Sequence, residues 1–358
     1  MLTVNRFEHN PIISPADVQP SRPDFEVVCV FNAGVARYNG ETILLMRVAE
    51  RPIGDERVAR VPVLQCENGQ SCLQILEFDK SDSSIGFHDP RKIFTPEETF
   101  LTTISHLRVA RSRDGKHFSV DPEPAIEPDR PTEVFGLEDP RISEIEGTFY
   151  ITYKSVSEIG ISVSLAETRD FVHFEKKGVI FAPENMDVCI FPEKIGGRYV
   201  ALHRPVSMNI AKMNLWMAYS ADLLHWGDHQ FVMGVKPGRW DGGRIGAGIV
   251  PIKTEHGWLE IYHAATPDDT YCLGAVLLDL DDPQKVIARL EEPVMVPGVP
   301  YETDGFMKNV LFTCGATTEG DRLTLYYGAA DEVMCGAEFS ISELLDHLLD
   351  RNLACTAA

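Results

Sequence analysis

Four basic residues recur at nearly the same distance after a glycine-containing turn. They are Arg47, Lys154 and Arg204, seven residues after the turn glycine, and His263, six residues after it. His203 adjoins the third of them. Because like charges repel one another, such side chains gather in one place only around a counter-anion. Arg and Lys suit phosphate in both geometry and charge, so the pattern predicts an anion pocket.

A plainer interpretation pairs each cation with a carboxylate nearby in the chain. Glu50 lies close to Arg47 in the sequence, and Glu193 lies close to Arg204. Opposite charges within a few ångströms stabilise each other's ionised forms, and local pairs would neutralise the cations without any ligand. Both interpretations stay open at this point.

A candidate for acid chemistry stands in the phrase GLEDPR, which contains Glu138, Asp139 and Arg141. An Asp-Pro step favours an extended or turn conformation, which would hold Asp139 rigidly at the edge of a loop. A rigidly held carboxyl group is what acid catalysis at a glycosidic bond requires. The alternative is a structural turn in which Arg141 is an ion-pair partner. A second Asp-Pro-Arg at 89–91 makes the tripeptide alone weak support.

The elements that must position these residues are repeated β-hairpins. Five segments share a glycine-containing turn followed by an apolar, alternating strand with a polar residue at its far end. The turns are Asn39-Gly40, Glu146-Gly147, Gly196-Gly197, His256-Gly257 and Gly320-Asp321. From Gly147 onward they recur every 50 to 63 residues, a period typical of propeller blades. The sequence therefore predicts an all-β fold, a single five-bladed β-propeller domain over residues 1–358.

Two segments depart from the repeat. The first two hairpins stand 107 residues apart, and we interpret residues 52–98 as an insertion, because they are rich in charged and turn residues and lack the hairpin phrase. Ser340 and Glu343 form a capping box before an apolar stripe, which predicts a C-terminal α-helix over about 341–353. In a propeller the innermost strands line the central channel, so we expect the recurrent basic positions to lie on those strands and to converge.

A second phrase recurs three times as a strand, a turn around an aspartate and a His-aromatic pair. The aspartates are Asp114, Asp170 and Asp222, and the aromatic residues are Phe118, Phe174 and Trp226. Aromatic rings can serve as sugar platforms. A pair that repeats with the blades is more often structural, so we expect these rings to pack in the core.

Composition and charge exclude several classes of function. A formal net charge of -21 disfavours nucleic acid and anionic membranes as partners. Eight cysteines without a CxxC pair are typical of free thiols in a reducing compartment. With no apolar leader and no run of about 20 apolar residues, a cytoplasmic location is expected. The histidines show no metal-ligand spacing, and no nucleotide-binding or serine-hydrolase motif is present, so we expect neither a metal nor a cofactor.

Longer phrases place these residues in a family context. FNAGVARYNGETILLMRVAERP, FGLEDPRI, APENMDVCIFPEKIGGRYVALHRP and WDGGRIGAGIVPIKTEHGWLEIYHAA follow one another along nearly the whole chain. Together they resemble the mannoside phosphorylases of glycoside hydrolase family 130. The resemblance implies a five-bladed β-propeller and inverting phosphorolysis of a β-mannoside, above all β-1,2-mannobiose. The products would be α-mannose 1-phosphate and mannose, with inorganic phosphate as co-substrate.

The resemblance also implies roles for individual residues. Asp139 would be the general acid, its proton passing through the 3-hydroxyl of the substrate mannose. Phosphate is already an anionic nucleophile and would need no carboxylate base. The residues expected at or near phosphate are Arg47, Arg141, Lys154, His203, Arg204, Tyr262 and His263. The residues expected around the sugar are Asn32, Glu138, Asp187, Arg244, Asp304 and Asp331.

Several alternatives remain open at the level of sequence. The same fold could act on 1,2-β-oligomannan or on β-1,4-mannosyl-glucose, and the insertion would decide this by shaping the acceptor site. A β-1,2-mannosidase would supply a carboxylate base, which Glu302 and Asp304 support only weakly. A propeller that binds sugar without catalysis is the alternative from another class. The expected partners are a β-mannoside and phosphate, with a homodimer as the expected assembly.

Overall fold

The computed structural model describes residues 2–67, 70–207 and 209–355, and these residues fold mainly into antiparallel β-strands. The predicted turns at 39–40, 146–147 and 196–197 have positive φ at both residues, the geometry that two-residue hairpins favour. The fourth turn falls one residue earlier than predicted, at 255–256, because Thr254 pairs with Gly257. The prediction of a mainly β fold is confirmed.

The first third of the chain contains one array of four strands and an interruption within it. In chain order the elements are β1 (Asn5–Arg6), a 3₁₀ helix (Pro15–Asp17), β2 (Phe25–Tyr38), β3 (Glu41–Pro52), β4 (Val58–Glu67), β5 (Gln70–Asp79), β6 (Gly86–Asp89), β7 (Lys92–Phe94), β8 (Thr99–Leu101), β9 (Ile104–Ser112) and β10 (Ser119–Val120). Strands β2, β3, β9 and β10 pair in that order and form array 1. Strands β4 to β8 form two small separate sheets, so the stretch 52–98 leaves and re-enters array 1 between two paired strands.

Four further arrays follow. After a 3₁₀ helix (Pro131–Glu133), array 2 consists of β11 (Gly136–Ile145), β12 (Thr148–Ser157), β13 (Gly160–Thr168) and β14 (Phe174–Phe181). Array 3 consists of β15 (Asn185–Ile190), β16 (Tyr199–Pro205), β17 (Leu215–Ser220) and β18 (Trp226–Met233). Array 4 consists of β19 (Arg244–Gly246), β20 (Ile252–Thr254), β21 (Gly257–Ala265), β22 (Tyr271–Leu278) and β23 (Val286–Arg289). After helix α1 (Pro300–Thr303), array 5 consists of β24 (Leu311–Glu319), β25 (Arg322–Ala329) and β26 (Val333–Ser340), with β1 as its fourth strand, and helix α2 (Ile341–Cys355) follows.

Apolar cores lie between successive arrays. Leu107 of array 1 packs with Ile151 of array 2, and comparable clusters join arrays 2 and 3, arrays 3 and 4, and arrays 4 and 5. A further cluster joins array 5 back to array 1 and contains Tyr326 and Val35. The alternating apolar pattern of the strands thus supplies two buried faces per array, one for each neighbour.

The two ends of the described chain meet in array 5. Strand β1 pairs with β26, placing Arg6 opposite Ala337. Arg6 Nε lies 2.7 Å from Oε1 of Glu302, whose side chain is fully buried. The same carboxylate accepts hydrogen bonds from the Tyr327 hydroxyl at 2.9 Å and from the Gly298 amide at 2.8 Å. A buried carboxylate is tolerated only when it is paired and hydrogen-bonded, and Glu302 is both.

Helix α2 begins directly after Ser340, as the capping box predicts. The Ser340 Oγ accepts the Glu343 amide hydrogen at 3.1 Å. The Glu343 carboxylate does not complete the box, because it accepts from the amide and hydroxyl of Thr3 at 3.0 and 3.1 Å. Leu344 and Leu348 are buried in the core shared by arrays 4 and 5. The helix therefore fastens the amino-terminal segment to the last array.

The repeated aspartate turns have one geometry. In each turn an aspartate accepts two backbone amide hydrogens, and its other oxygen lies 2.8 Å from Nδ1 of the following histidine; the pairs are Asp114–His117, Asp170–His173 and Asp222–His225. The aromatic residue after each histidine packs against an apolar core. The phrase is a structural turn at the end of a strand.

Two further properties concern cysteines and membrane spans. Seven cysteines have described side chains, and all seven are free; Cys29, Cys189, Cys272, Cys314 and Cys335 are buried. Across residues 2–67, 70–207 and 209–355, the structure contains no helix whose length and apolar character would suffice to cross a membrane.

Candidate active site

The recurrent basic positions are equivalent in the register of the five arrays. Counted as the seventh residue after each two-residue turn, they are Arg47, Lys154, Arg204, His263 and, in array 5, Gly328. Each pairs directly with a residue of the first strand of its array: Phe31, Glu138, Met186, Gly246 and Phe312 respectively. The shorter interval that the sequence shows before His263 disappears once the turn is placed at 255–256.

Three first strands bulge directly after this paired residue. The residues in the bulges are Asn32, Asp139 and Asp187, with φ of 50°, 47° and 56°. Asn and Asp are the non-glycine residues that tolerate this left-handed region best, and a bulge re-aims a side chain relative to a regular strand. Asp331, at the turn between β25 and β26, has a φ of 51°. All four polar residues therefore have a left-handed backbone, three of them in bulges and Asp331 in a turn.

The expectation that the basic residues lie on innermost strands was wrong. Arg47, Lys154 and Arg204 lie on β3, β12 and β16, the second strands of their arrays. The first strand β11 contacts the first strands β2 and β15, and these three strands carry the bulged amide and carboxylates. Arg and Lys reach the centre from the second strand because their side chains are long, whereas the short Asn and Asp must start from the first strand.

Asp139 lies at the centre of this constellation and is 2% exposed. Lys154 Nζ lies 2.5 Å from its Oδ2, while Oδ1 accepts from Asn32 Nδ2 at 2.9 Å and lies 3.4 Å from Arg47 Nη1. Burial by itself would raise the pKa of Asp139. The positive charges of Lys154, Arg47 and Arg141 outweigh burial and hold that pKa well below its usual range. The carboxyl group is therefore ionised in this structure.

Glu138 shares the same two cations. Arg47 Nη2 lies 2.6 Å from its Oε1, and Lys154 Nζ lies 3.0 Å from its Oε2. Arg47 is further fixed by its Nε, which donates to Ser105 Oγ at 3.1 Å, and by the Phe31 ring, whose centroid lies 4.6 Å from the guanidinium carbon. Arg47 and Lys154 thus bridge two adjacent carboxylates.

Asp187 forms a second, deeper hub. Its carboxylate lies 2.9 Å from Arg204 Nη2, 3.2 Å from Arg141 Nη2 and 3.2 Å from His263 Nε2. Burial opposes ionisation, but Arg204, His263 and Arg141 together hold the pKa of Asp187 well below its usual value. Burial lowers the pKa of His263 to about 4, so this imidazole is neutral near neutral pH. Asp187 therefore orients two arginines from beneath.

Arg141 links the two hubs. Its Nη1 donates to the backbone carbonyl of Asp139 at 3.0 Å, and its Nη2 donates to that of Ala247 at 2.9 Å. The second Asp-Pro-Arg phrase behaves differently, because Arg91 there forms two hydrogen bonds with the Asp89 carboxylate at 3.0 and 2.9 Å. The turn interpretation with an ion-paired arginine thus holds for 89–91. At Asp139 the arginine fixes the backbone and leaves the carboxyl group to other partners.

The alternative of purely local ion pairs was wrong. Glu50 accepts from the amide and hydroxyl of Ser21 rather than from Arg47, and Glu193 pairs with Lys253 at 2.6 Å rather than with Arg204. The cations pair instead with carboxylates brought from other strands. Within the described residues, Arg204 Nε and Nη1 and Arg141 Nε are buried and have no hydrogen-bond partner. Such donors retain the capacity to bind an anion.

These side chains surround one cavity of about 280 Å³. Eight residues expected from the sequence line it: Asn32, Arg47, Glu138, Asp139, Lys154, Asp187, Arg204 and Asp331. Arg141 and His263 lie behind this lining and reach it through Asp187. A larger cavity of about 510 Å³ lies beside β4 and β5 and also contains cations and carboxylates, but its lining includes none of Asp139, Lys154 and Asp187. We therefore take the smaller cavity as the candidate active site.

Asp331 differs from the other cavity carboxylates. No ion pair to its side chain is present among the described residues, although Arg47 and Lys154 act on it at longer range. Burial raises the pKa of Asp331 to about 6, and the charge of Asp139 contributes in the same direction. Asp331 is therefore partly protonated in the neutral pH range.

Two residues expected near phosphate lie elsewhere. His203 faces away from the cavity, with Nδ1 3.1 Å from Asn185 Nδ2 and Nε2 3.1 Å from His229 Nδ1. Tyr262 is buried in the core between arrays 3 and 4, where its hydroxyl accepts from Arg289 Nε at 3.0 Å. Successive side chains on a strand point to opposite faces. His203 and Tyr262 therefore cannot join Arg204 and His263, their respective neighbours.

Two residues expected around the sugar also lie outside the cavity lining. Arg244 Nε donates to the Tyr271 hydroxyl at 2.6 Å, and its Nη2 lies 2.6 Å from Asp269. Its neighbour Tyr271 lines the cavity, so Arg244 supports the wall. Asp304 is exposed and lies 4.0 Å from Lys308.

Several cavity residues were missed from sequence. Arg91, Lys92, Leu101 and Thr103 come from the interrupting segment and its end, and Tyr271, Phe306 and Phe312 add aromatic faces. The only sequence signal near the first two is the repeated Asp-Pro-Arg phrase, which does not by itself indicate a site. Among the residues that the structure describes, no group of three or more His, Cys, Asp or Glu side chains is arranged to hold a metal ion.

Comparison with known proteins gives three concordant matches. The sequence model of glycoside hydrolase family 130, described as β-1,4-mannooligosaccharide phosphorylase, matches residues 101–350. The β-1,2-mannobiose phosphorylase of Listeria innocua is 46% identical over 352 residues, covering 97% of this chain and 99% of that protein. The 1,2-β-oligomannan phosphorylase of Thermoanaerobacter sp. is 40% identical over 242 residues, covering 67% of this chain and 80% of that protein.

A solved structure extends the likeness to three dimensions. The Listeria innocua β-1,2-mannobiose phosphorylase, in its complex with β-1,2-mannobiose, superposes on this chain with a TM-score of 0.93. The alignment covers 97% of this chain and 99% of that chain, at 46% identity. A backbone likeness this extensive includes all five arrays.

Proposed function

This chain belongs to glycoside hydrolase family 130, and from that premise we propose that it cleaves β-1,2-mannobiose with inorganic phosphate to α-mannose 1-phosphate and mannose. The observation that carries the proposal is the convergence of Arg47, Lys154 and Arg204 with Asp139 on one cavity. The Listeria innocua relative supports the choice of substrate.

The architecture proposed for this reaction is a five-bladed β-propeller, with each array as one blade. The support is the sequence of shared cores, in which every array packs on the next and array 5 packs on array 1. The pairing of β1 with β26 would close the ring. The cavity then lies on the central axis, where the first strands meet.

Asp139 is the proposed general acid. Its position between Lys154 and Asn32 fixes the carboxyl group to within one rotamer, which is what proton delivery to a defined atom requires. The proton would travel through the 3-hydroxyl of the bound mannose to the scissile oxygen. The carboxyl group then needs contact with the sugar ring only.

Phosphate is the proposed nucleophile, held by the cations of the cavity. Arg204 contributes unpartnered donors, and Lys154 and Arg47 reach the same space from two other blades. Asp187 forms ion pairs with both Arg204 and Arg141 and so fixes the orientation of their guanidinium groups. Phosphate attacks the anomeric carbon from the face opposite the leaving group, which inverts the configuration and gives the α-phosphate. No cofactor is required beyond this co-substrate.

The interrupting segment is the proposed determinant of chain length. Arg91, Lys92 and Thr103 form part of the cavity wall. A cavity of about 280 Å³, closed on that side, favours a disaccharide over a long oligomannan. The oligomannan and mannosyl-glucose specificities are the alternatives within the same fold.

Hydrolysis is the alternative that the structure supports less well. The two carboxylates that the sequence suggested as a base are unavailable, since Glu302 is bound by Arg6, Tyr327 and Gly298, and Asp304 is exposed outside the cavity. Glu138 and Asp187 are both ion-paired with cations.

We also propose a cytoplasmic location, which the free cysteines favour, and a homodimer, which sedimentation velocity would test.

The deciding experiment is an incubation with β-1,2-mannobiose in the presence and absence of phosphate. We expect mannose 1-phosphate to form only with phosphate, and we expect β-1,2-mannotriose and β-1,4-mannosyl-glucose to react more slowly. Release of free mannose at the same rate without phosphate would identify a hydrolase. No reaction, together with tight binding of the disaccharide, would identify a sugar-binding protein.

A further inference from the structure

We propose that binding of inorganic phosphate drives protonation of Asp139, so that the proton donor forms only when the nucleophile is in place. This inference rests on the proposed function, since it concerns the same cavity. It adds a thermodynamic coupling between binding of the anion and binding of a proton by Asp139. Because such a coupling is reciprocal, the anion raises the affinity for the proton by the same factor as the proton raises the affinity for the anion, and this can be measured.

The contacts of Asp139 in the described structure suit the ionised form alone. Oδ2 faces the ammonium group of Lys154, and Oδ1 faces the amide nitrogen of Asn32 and the guanidinium of Arg47. With the Asn32 amide in this orientation all three partners donate hydrogen bonds, so a carboxyl proton would point at a donor. A general acid must be protonated before turnover, which means that something must change this environment.

The charges of the two hubs nearly cancel before an anion enters, and Arg91 and Lys92 add positive charge in the cavity wall outside them. The cations and ion-paired carboxylates at the two hubs are Arg47, Lys154, Arg141, Arg204, Glu138, Asp139 and Asp187. Four cations and three carboxylates leave a formal charge of +1, and ionised Asp331 would reduce it to zero. His263 is neutral. A phosphate dianion therefore adds two negative charges next to four carboxylates, and a proton that enters with it reduces their repulsion.

Asp139 and Asp331 are the two carboxylates that could take that proton, and Asp139 is the one whose counter-ion the anion engages. Its principal counter-ion, Lys154, is shared with Glu138 and lines the cavity, where phosphate competes for the ammonium group. Asp187 lies deeper and keeps Arg141 and His263 whatever occupies the cavity. The charged groups facing Asp139 come from β3 (Arg47), β12 (Lys154) and β11 itself (Glu138 and Arg141), and Asp331 faces it from the turn after β25.

The coupling has a consequence for specificity. Without phosphate, Asp139 stays ionised and cannot donate a proton to the leaving group, so water in the cavity finds no acid to assist it. With phosphate, the acid and the nucleophile are present together. The coupling thus disfavours wasteful hydrolysis without any element that physically excludes water.

The direction of the pH dependence follows from the coupling. The anion binds the protonated enzyme more tightly than the ionised enzyme, so anion affinity rises as pH falls. Between the pKa of Asp139 in the free enzyme and its higher pKa in the complex, affinity changes about tenfold per pH unit for one coupled proton. Below the lower pKa the carboxyl group is protonated in both states, and the dependence on Asp139 vanishes.

The test is titration calorimetry with sulfate and with phosphate in buffers of different ionisation enthalpy. Sulfate is the sharper probe, because it is a tetrahedral dianion that does not titrate near neutral pH. We expect uptake of about one proton per bound sulfate in the unaltered protein and loss of that uptake in Asp139→Asn. Asp331→Asn is the matched variant and should retain the uptake.

Each outcome of the titration has a distinct meaning. Binding of either anion without proton uptake, after correction for the ionisation of phosphate itself, would overturn the coupling and leave the proposed function intact. Uptake that survives in Asp139→Asn and disappears in Asp331→Asn would place the proton on the other carboxylate and also overturn it. If phosphate does not bind at all, even at millimolar concentration, the result would contradict the proposed function itself.

Discussion

Asp139 combines a left-handed backbone, nearly complete burial and three hydrogen-bond donors around one carboxyl group. The left-handed backbone and the buried charge each cost stability in isolation, because strained φ values and buried charges are unfavourable. The surrounding cations compensate for the charge, and the bulge in β11 fixes the backbone. Strain of this kind clusters at functional sites, which is why the position is informative at the scale of a single residue.

Replacement of Asp139 by Asn tests its role as the acid. We expect turnover to fall by about 100- to 10,000-fold, because an amide cannot donate the required proton, while β-1,2-mannobiose still binds. Steady-state kinetics and a disaccharide titration would measure the two effects. Asp228→Asn is the matched control, since Asp228 also has a left-handed φ, of 50°, but lies on the outer strand β18. Equal loss of activity in both variants would contradict the role.

Adjacent residues on β16 provide a second test. Arg204 faces the cavity, whereas His203 faces Asn185 and His229. We expect Arg204→Met to raise the KM for phosphate at least tenfold and to change the KM for sugar much less. His203→Leu should leave both constants near those of the unaltered protein. If His203→Leu raised the KM for phosphate more than Arg204→Met does, His203 and not Arg204 would face the cavity.

The sequence identified part of this site and missed part of it for physical reasons. The interval after a glycine turn located Arg47, Lys154 and Arg204 because register is fixed by the turn. The family resemblance added His203 and Tyr262, whose side chains alternate with those of Arg204 and His263 and point to the other face of the strand. The bulges at Asn32 and Asp187 leave no local turn signal, so their left-handed backbone could not be predicted from spacing.

At the scale of the element, the first and second strands of arrays 1, 2 and 3 carry different parts of the site. Second strands carry long cations at one register position, and first strands carry short polar residues in bulges. Gly328 occupies the fifth second-strand position, and a Cβ atom there would collide with Asn32 Oδ1. The absence of a side chain at Gly328 therefore makes room for the amide that holds Asp139.

The junction between arrays 1 and 2 can be tested at Gly136. Its φ is +106°, and a Cβ atom would lie 2.5 Å from the Ser105 carbonyl oxygen. We expect Gly136→Ala to destabilise the protein by about 2–5 kcal/mol through backbone strain and overpacking, and to lower activity because Glu138 follows closely. Gly147→Ala is the matched control, since its φ is +75° but its Cβ would contact nothing within 4 Å.

Thermal or urea unfolding of the two glycine variants would measure this difference. The control should lose only about 1–2 kcal/mol, the cost of the left-handed backbone. Equal losses would show that close approach at Ser105 has no separate effect. A stable Gly136→Ala variant with full activity would contradict the importance of the junction.

At the scale of the whole molecule, the amino-terminal strand β1 pairs with β26 in array 5. Arg6 on β1 is the cation paired with buried Glu302, and that carboxylate also anchors Tyr327 of β25. We expect Arg6→Ala to lower the free energy of unfolding by about 2–4 kcal/mol, since it leaves a buried charge without its counter-ion. Arg22→Ala removes an exposed pair with Asp24 and should change stability by less than about 1 kcal/mol. Similar losses in both variants, measured by urea unfolding, would contradict the importance of this pair.

Much of the overall architecture could be predicted because its turns carry glycine. The recurrent hairpins and helix α2 each have a local cause, a tight turn in one case and a capping serine in the other. The path of residues 52–98 could not be predicted, since its two small sheets have no repeat and depend on contacts with Phe25 and Ile104 of array 1. That path brings Arg91 and Lys92 to the cavity, where no local pattern would place them.

The most direct test of the central claim is proton and phosphorus NMR of the reaction of β-1,2-mannobiose with phosphate, recorded from its first minutes. The account predicts that α-mannose 1-phosphate appears as the initial anomer, in equal amount to free mannose and to the phosphate consumed. Appearance of the β-phosphate, or of two mannose molecules with no loss of phosphate, would contradict it.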